Sequence, residues 1–357
     1  MPLLVGESKR KIGVENWSPL GITGNTAPSM RVLGNSDLLV SPVGLGSWVF
    51  GGSGWKYCLG PQDDNESIRT IHAAFDLGIN WIDTAAVYGL GHSLKVVARA
   101  VQSYGRKPYI FTKCSVLWRE DGSLYNSLKT ESVTEEVEGL LRCLGVETLD
   151  LCQVHWPEPE NEIEEGWEAL ARLREQGKIR WIGVSNFSVR QMKRIQKIAP
   201  ITSLQPPYSL LNRDTEAEVL PFALANGIGV ISYSPMCSGL LTMIAADVAA
   251  LPADDWRLKI DQFREPRLSR NLRLVQLLRE IGNRHGVSSG VVAIAWVLHH
   301  PAITGVIVGA RRLKELEYLA PALHFRLSQD EYDRIGRYLK SIRWYLASIY
   351  ARLMPAS

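Results

Sequence analysis

Residues 149–185 read LDLCQVHWPEPENEIEEGWEALARLREQGKIRWIGVS, and the order of their physical signals decides the fold. A short apolar run from Leu149 to His155 gives way to a turn rich in Pro and Glu. From Asn161 to Gln176 apolar residues recur at helical spacing, and the pattern stops at Gly177, a residue suited to a helix C-terminus. A second short apolar run, Ile179 to Ser185, follows at once. Strand, helix and strand in this order form the βα rhythm of a parallel sheet covered by helices.

Working outward from that unit, the rhythm continues in both directions from Leu38 onward. The other strand candidates are Val43 to Gly46, Trp81 to Asp83, Tyr109 to Lys113, Ile201 to Gln205, Gly229 to Tyr233 and Ile303 to Val308. Helices are expected over Asn65 to Leu77, Ser132 to Leu144, Ser188 to Ile198, Asp214 to Asn226, Leu272 to His285 and Ser289 to His300. Ser132 with Glu135 three positions on has the form of a capping box, and Gly78 and Gly227 close helices as Gly177 does. Repeated βα units without a second compositional regime favour a single-domain α/β (β/α)8 TIM barrel over a doubly wound sheet with a separate domain. Leu240 to Arg270 breaks the rhythm and is expected to be a large loop after the seventh strand. The barrel is expected over residues 31–340. Residues 1–30, rich in Gly, Pro, Ser and Asn, are expected to be a mobile arm, and 341–357 form a C-terminal tail.

The 357-residue chain is 46% hydrophobic and 22% charged with a net charge of +3, which argues against a polyanionic partner such as nucleic acid. Its five cysteines, Cys58, Cys114, Cys143, Cys152 and Cys237, are scattered without a CxxC pair, so reduced thiols and no structural metal are expected. After Lys9, Arg10 and Lys11 no apolar signal segment follows. The uncharged stretch between Glu218 and Asp247 is interrupted by Pro and Gly, and reads as a helix end, a buried strand and a loop rather than a membrane span. The expected location is cytoplasmic; the oligomeric state is not legible.

In a (β/α)8 barrel the C-terminal strand ends face one cavity. Here those ends carry WIDTAAVYG (81–89), FTKC (111–114) and LCQVHWP (151–157), so Asp83, Tyr88, Lys113 and His155 are expected to converge. A carbonyl that accepts a hydride develops charge on its oxygen and needs an acid there. Tyr88 is the candidate acid. Lys113 beside it would favour the ionised phenol and lower its pKa, Asp83 would keep the lysine charged, and His155 would orient the carbonyl. Singly, each has a plain structural reading as an ion pair or a packed ring. Four complementary groups at successive strand ends are unlike an accident. GLGSW at Gly44 and GLGHS at Gly89 do not complete GxGxxG, and read as barrel loop turns.

With these residues in place, the chain from Arg31 to Tyr332 resembles an aldo-keto reductase. GINWIDTAAVYGLGHS, FTKC, LDLCQVHWPEP, GKIRWIGVSNFS, LQPPYSLLNR, VISYSPMCSGLL and VIVGARR all stand in that family's order. The loop after the seventh strand looks most like bacterial general-stress reductases of the family. The resemblance implies that Asp83, Tyr88, Lys113 and His155 match the catalytic tetrad. It implies NADPH as cofactor, with NADH as the other candidate. Gly46, Ser47 and Trp48 resemble the segment beneath the nicotinamide ribose; Ser185, Asn186 and Gln205, with Asp83, the groups around the nicotinamide; and Tyr233 its stacking partner. Ser234, Pro235, Met236, Ser238, Gly239 and Leu240 would line the pyrophosphate, and Gly309, Ala310, Arg311 and Arg312 the adenosine phosphate. The chain departs from the family at Tyr318 and Leu319, where Glu and Asn are common, at Glu315, where Gln or Arg is common, and at Leu94, where Glu is usual.

The leading expectation is therefore reduction of a small-molecule aldehyde or ketone. A second is a nucleotide-sensing regulator, because channel-associated β subunits resemble the same family. A third is a Schiff-base aldolase acting through Lys113. Trp55, Tyr57, Trp118, Tyr125 and Trp156 are candidate pocket walls. The tail, with Trp344, Tyr345 and Tyr350, reads as a helix packed on the barrel or as a flap or partner surface.

Overall fold

The computed structural model describes residues 28–353, with side chains to Ser341. Most of the expected N-terminal arm and the tail side chains Trp344, Tyr345 and Tyr350 lie outside the described residues.

A two-stranded hairpin, β1 (Arg31–Val32) and β2 (Leu39–Val40), precedes the barrel. The barrel and its helices follow in the order β3 (Val43–Gly46), α1 (Asp64–Asp76), β4 (Trp81–Asp83), α2 (His92–Tyr104) and β5 (Tyr109–Cys114). A second hairpin, β6 (Val116–Trp118) and β7 (Leu124–Asn126), interrupts the rhythm before α3 (Thr130–Leu144). Then come β8 (Leu149–Val154), α4 (Ile163–Glu175), β9 (Ile179–Ser185), α5 (Val189–Ile195), β10 (Ser203–Gln205), α6 (Val219–Ala225) and β11 (Gly229–Ser232). The chain closes with α7 (Ala245–Ala249), α8 (Arg267–His285), α9 (Ser289–His299), β12 (Ile303–Val308), α10 (Leu313–Leu319) and α11 (Gln329–Leu353). Strands β3, β4, β5, β8, β9, β10, β11 and β12 pair in parallel into a closed barrel, β12 meeting β3.

Two cores hold this arrangement. Outside the strands, residues such as Ile82, Val137, Leu170, Ile182 and Ile294 pack in one continuous shell beneath the helices. Inside, Trp81, Phe111, Leu151, Ile231 and Ile307 fill the barrel, and Leu33, Leu38 and Val40 of the β1–β2 hairpin join them. The hairpin plugs the N-terminal end: Gly34, at φ +57, sits so close to Thr202 at the foot of β10 that a Cβ would lie 2.1 Å from its carbonyl oxygen. The plug leaves the opposite, C-terminal end as the open mouth.

The expected strands all form, with ends moved by no more than two residues. Helix starts differ more. Ser132 does not cap α3, which begins two residues earlier at Thr130, because the Glu165 carboxylate of α4 accepts the Thr130 N–H at 2.8 Å. The segment after β11 is no open loop: it carries α7 and short 3-10 turns, and buries Leu240, Val248 and Phe263 together.

The inner core is tight enough to test. An ideal Cβ on Gly44 would lie 2.2 Å from the Trp81 ring, which is fully buried and donates its indole N–H to Ser41 O at 2.9 Å. Gly44→Ala should therefore cost about 1–3 kcal/mol, the range for overpacking. Urea unfolding measures it, and an unchanged midpoint would contradict this packing.

Candidate active site

A cavity of about 1150 Å³ opens at the C-terminal mouth of the barrel. Gly46, Asp83, Ser185, Gln205 and Tyr233 line it from the strand ends, and the loops add Tyr88, His155, Trp48, Trp156 and Ser234.

Its base is built by strand register. In the β4–β5 pair Asp83 stands opposite Phe111, so Lys113, two residues on and on the same face, rises just above the carboxylate. Lys113 Nζ donates to Asp83 Oδ1 at 2.5 Å, to Tyr88 Oη at 3.2 Å and to Thr84 O at 3.3 Å. From across the barrel, Gln205 Nε2 donates to Asp83 Oδ2 at 2.9 Å. Asp83, Lys113 and Gln205 are each almost fully buried. Tyr88 follows the turn in which its own N–H donates to Ala85 O, and its ring meets that of His155 edge-on at 5.8 Å between centroids. The four residues expected to converge are thus together.

Burial sets the protonation states. It pushes the Asp83 carboxyl up, against the pull of Lys113 and Gln205. Burial also works to neutralise Lys113, but Asp83 and Tyr88 outweigh it and hold the ammonium above the ordinary lysine value. His155 is held well below the usual histidine range, first by burial and then by the charge of Lys113, and stays neutral. Tyr88 differs from expectation. Lys113 does pull the phenol down, yet burial is the larger effect and Asp83 adds to it, so the hydroxyl lies above its ordinary value and keeps its proton.

A second polar network adjoins the first. Tyr233 Oη donates to Asn186 Oδ1 at 2.9 Å, Asn186 Nδ2 donates to His155 O at 2.9 Å, and Ser185 Oγ donates to Gln205 O at 2.7 Å. Asn186 adopts φ +63, which Asn tolerates better than most residues. Beyond β11, Cys237, Ser238 and Gly239 all have positive φ, the kind of turn in which successive N–H groups gather around an anion. Ser238 and Gly239 line the cavity, as do Arg257, Arg279 and Arg311. Such a donor set, leading away from the polar base, fits an elongated ligand with a phosphate backbone.

Of the residues expected to bind a cofactor, Gly46, Trp48, Asp83, Ser185, Asn186, Gln205, Tyr233, Ser234, Pro235, Met236, Ser238, Gly239, Gly309 and Arg311 reach the cavity. Ser47, Leu240 and Ala310 are buried behind its lining. Arg312 turns outward, 4.0 Å from Glu66. Arg311 is also occupied: its guanidinium donates to Gln62 Oε1 at 2.9 Å, to Leu59 O at 2.8 Å and to Pro61 O, stapling the loop after β3 to the cavity edge. Trp55, Tyr57 and Trp156 are walls as expected, whereas Trp118 and Tyr125 are not, and their hairpin contributes Val116 and Leu124 instead. Leu94 packs in the outer core. Arg279, Asn283, Ser288 and Ser289 were missed, because they reach the cavity from α8 and the start of α9 rather than from a strand end. Ser288, an N-cap accepting from Val291 N–H, carried the one local signal.

Comparison with known proteins agrees with this geometry. A sequence model of the Aldo/keto reductase family matches residues 42–340. The chain is 36% identical over 312 residues to the aldo-keto reductase YhdN of Bacillus subtilis, covering 87% of this chain and 93% of that protein. It is 32% identical over 314 residues to the NADH-specific methylglyoxal reductase of Escherichia coli, covering 84% and 94%. Among solved structures, the glycerol dehydrogenase AKR11B4 from Gluconobacter oxydans superposes with a TM-score of 0.81 at 34% identity, over 88% of this chain and 96% of that one.

Removing one member of the ion pair tests its weight. Asp83→Asn leaves a buried ammonium without its counter-charge and should cost about 3–5 kcal/mol in urea unfolding. Lys113→Met added to Asp83→Asn should recover much of that loss. A double variant no more stable than Asp83→Asn would contradict a tightly paired charge.

Proposed function

The chain belongs to the aldo/keto reductase family, whose reaction is reduction of a carbonyl to an alcohol, and we propose that in this member Tyr88 delivers the proton while Lys113, Asp83 and His155 hold it ready. The observation that carries this reading is the single hydrogen-bonded chain from Asp83 through Lys113 to Tyr88 at the floor of the cavity.

The nicotinamide cofactor supplies the hydride when bound. As charge grows on the substrate oxygen, the Tyr88 hydroxyl donates its proton there. A phenol held above its ordinary pKa arrives protonated, which reduction requires. The phenolate left behind faces the Lys113 ammonium, which favours it. Neutral His155 has one ring N–H to offer the same oxygen and orients the carbonyl. Asp83 fixes the lysine in place, and Gln205 fixes Asp83. Lys113 is poorly suited to Schiff-base chemistry, since its amine is held protonated.

Ser185, Asn186 and Gln205 are proposed to hold the carboxamide, Tyr233 to stack on the nicotinamide, and the turn at Ser238 and Gly239 to take the pyrophosphate. Arg279 donates only to the carbonyl of Thr242 among the described residues, whereas Arg257 is paired with Asp255 at 2.6 Å. Arg279 is therefore the cation with donors to spare for the extra phosphate of NADPH; the guanidinium of Arg311 is taken up by the loop after β3, and the Glu315 carboxylate, accepting from Arg311 N–H at 2.8 Å, opposes a phosphate there. NADPH is proposed as preferred, with NADH accepted. The wall facing Tyr88, formed by Trp48, Trp55, Val87, Val116, Leu124 and Trp156, suits an uncharged aldehyde or ketone. A cytoplasmic location is proposed from the odd number and scattered spacing of the cysteines in the sequence; the described residues contain no helix long and apolar enough to cross a membrane.

Tyr88→Phe deletes one hydroxyl. With a panel of aldehydes and ketones and with NADPH and NADH assayed in parallel, kcat should fall by about 10²-fold or more while NADPH affinity changes by less than about twofold. Near-normal turnover with the chemical step limiting would make His155 the proton donor instead.

A further inference from the structure

Ser115 stands at the corner where the chain leaves β5, two residues past Lys113, and enters the β6–β7 hairpin. Its φ is +91, a region that costs energy for any residue with a Cβ. Such a conformation persists only where surrounding contacts hold it, and here they can be named. Ser127 N–H donates to Ser115 O at 3.1 Å. Ser115 Oγ clasps the backbone of Trp156, donating to its carbonyl oxygen and accepting from its N–H, both at 3.3 Å. One residue back, His155 N–H donates to Cys114 O at 2.9 Å. The fourth contact comes from outside the barrel: Ser115 N–H donates to Glu136 Oε2 of α3 at 2.8 Å.

Glu136 is out of place by composition. It shares the inward face of α3 with Val133, Val137, Leu140 and Leu144, all buried at 1% exposure or less. The residue is half-buried overall with its carboxyl end enclosed. Burial pushes that carboxyl up to about 8, and the Ser115 amide is the group that pulls it back. A carboxyl on an apolar face costs energy unless it has a partner, and this one has the amide of a strained residue.

We infer that Glu136 is a positioning residue for carbonyl reduction: by anchoring the strained Ser115 corner from behind the barrel, it fixes the segment that carries His155 and Trp156 and the hairpin that supplies Val116 and Leu124 to the cavity wall. The inference rests on the reduction reading above. These parts all belong to the substrate side of the mouth. The proposed cofactor residues come from the ends of β9 to β12 and β3 and from α8; Asn186 touches the anchored segment through its hydrogen bond to His155 O, but the remainder lie away from it, so the anchor acts chiefly on carbonyl placement.

Three variants decide the matter, measured by kcat and KM for an aldehyde substrate, by NADPH affinity, and by hydrogen exchange at the Ser115 and Trp156 amides. Glu136→Leu leaves the Ser115 N–H without an acceptor, and kcat/KM should fall about tenfold, the scale of one buried hydrogen bond lost, with faster exchange at both amides. NADPH affinity should stay within about twofold. Glu136→Gln keeps an acceptor oxygen and should remain within about threefold of the wild type. Ser115→Gly removes the strain together with the Oγ clasp on Trp156, so it should itself lower kcat/KM, and adding Glu136→Leu should then cost less than about a further twofold, because the corner it anchors no longer holds the segment. Wild-type kinetics and exchange in Glu136→Leu, or equal impairment in Glu136→Gln, would overturn the inference. So would a loss of NADPH affinity parallel to the loss of turnover, which would mark a general structural defect. Should the wild type itself turn over no carbonyl, the reduction reading fails, and the exchange data still decide whether the anchor exists.

Discussion

The Asp83–Lys113 ion pair is the constraint on which the site depends. Two charges taken out of water inside a barrel are costly, and their attraction offsets that cost only with close geometry and with the remaining lone pairs satisfied. The fold meets both conditions. Parallel register between β4 and β5 brings the two side chains together on the inner face, and Gln205 reaches across to the second carboxylate oxygen. The layer beneath is dense: Trp81 fits against Gly44, Phe111 packs beside it with its ring tilted, and the β1–β2 hairpin closes the bottom. A loosely packed floor would admit water and weaken the pair.

From that floor the mouth divides by function. One half, formed beyond β9 to β12 and β3, is rich in backbone turns with positive φ and in arginine, and suits a phosphate-bearing dinucleotide. The other half, beyond β4, β5 and β8 and joined by Trp48 and Trp55 from the segment after β3, is apolar and aromatic, and suits the carbonyl compound. Tyr88 and His155 stand at the seam. Burial first and the charge of Lys113 second keep His155 neutral, while the same charge favours a phenolate on Tyr88, which supports Tyr88 as the proposed proton donor.

Much of this was legible in the sequence because barrel strands are short apolar runs punctuated by Gly and Pro, and because Asp83, Tyr88, Lys113 and His155 each sit at or just beyond a strand end. Local pattern failed where tertiary contacts override it. Ser132 has the form of a cap, yet Glu165 of the neighbouring helix starts α3 earlier. Leu240 to Arg270 lacks periodicity over any long stretch, and so hid its short helical turns and their small core. Arg279 and Asn283 lie on a helix face whose cavity contact exists only once α8 has packed. Arg311 has the sequence context of a phosphate ligand, but in the fold its donors hold the loop after β3. Glu136 and Ser115, 21 residues apart, carry no motif; their relation appears only in the backbone conformation and the hydrogen bond.

In the proposed reaction Lys113 acts through the Tyr88 phenol. Single-turnover reduction rates for the wild type, Tyr88→Phe, Lys113→Met and the double variant, at saturating cofactor, test it most directly. If the charge works through the hydroxyl, the double variant should be slower than Tyr88→Phe by no more than about threefold, far from the product of the two single effects. Multiplicative losses would mean that Lys113 and Tyr88 act independently and that the charge does not work through the phenol.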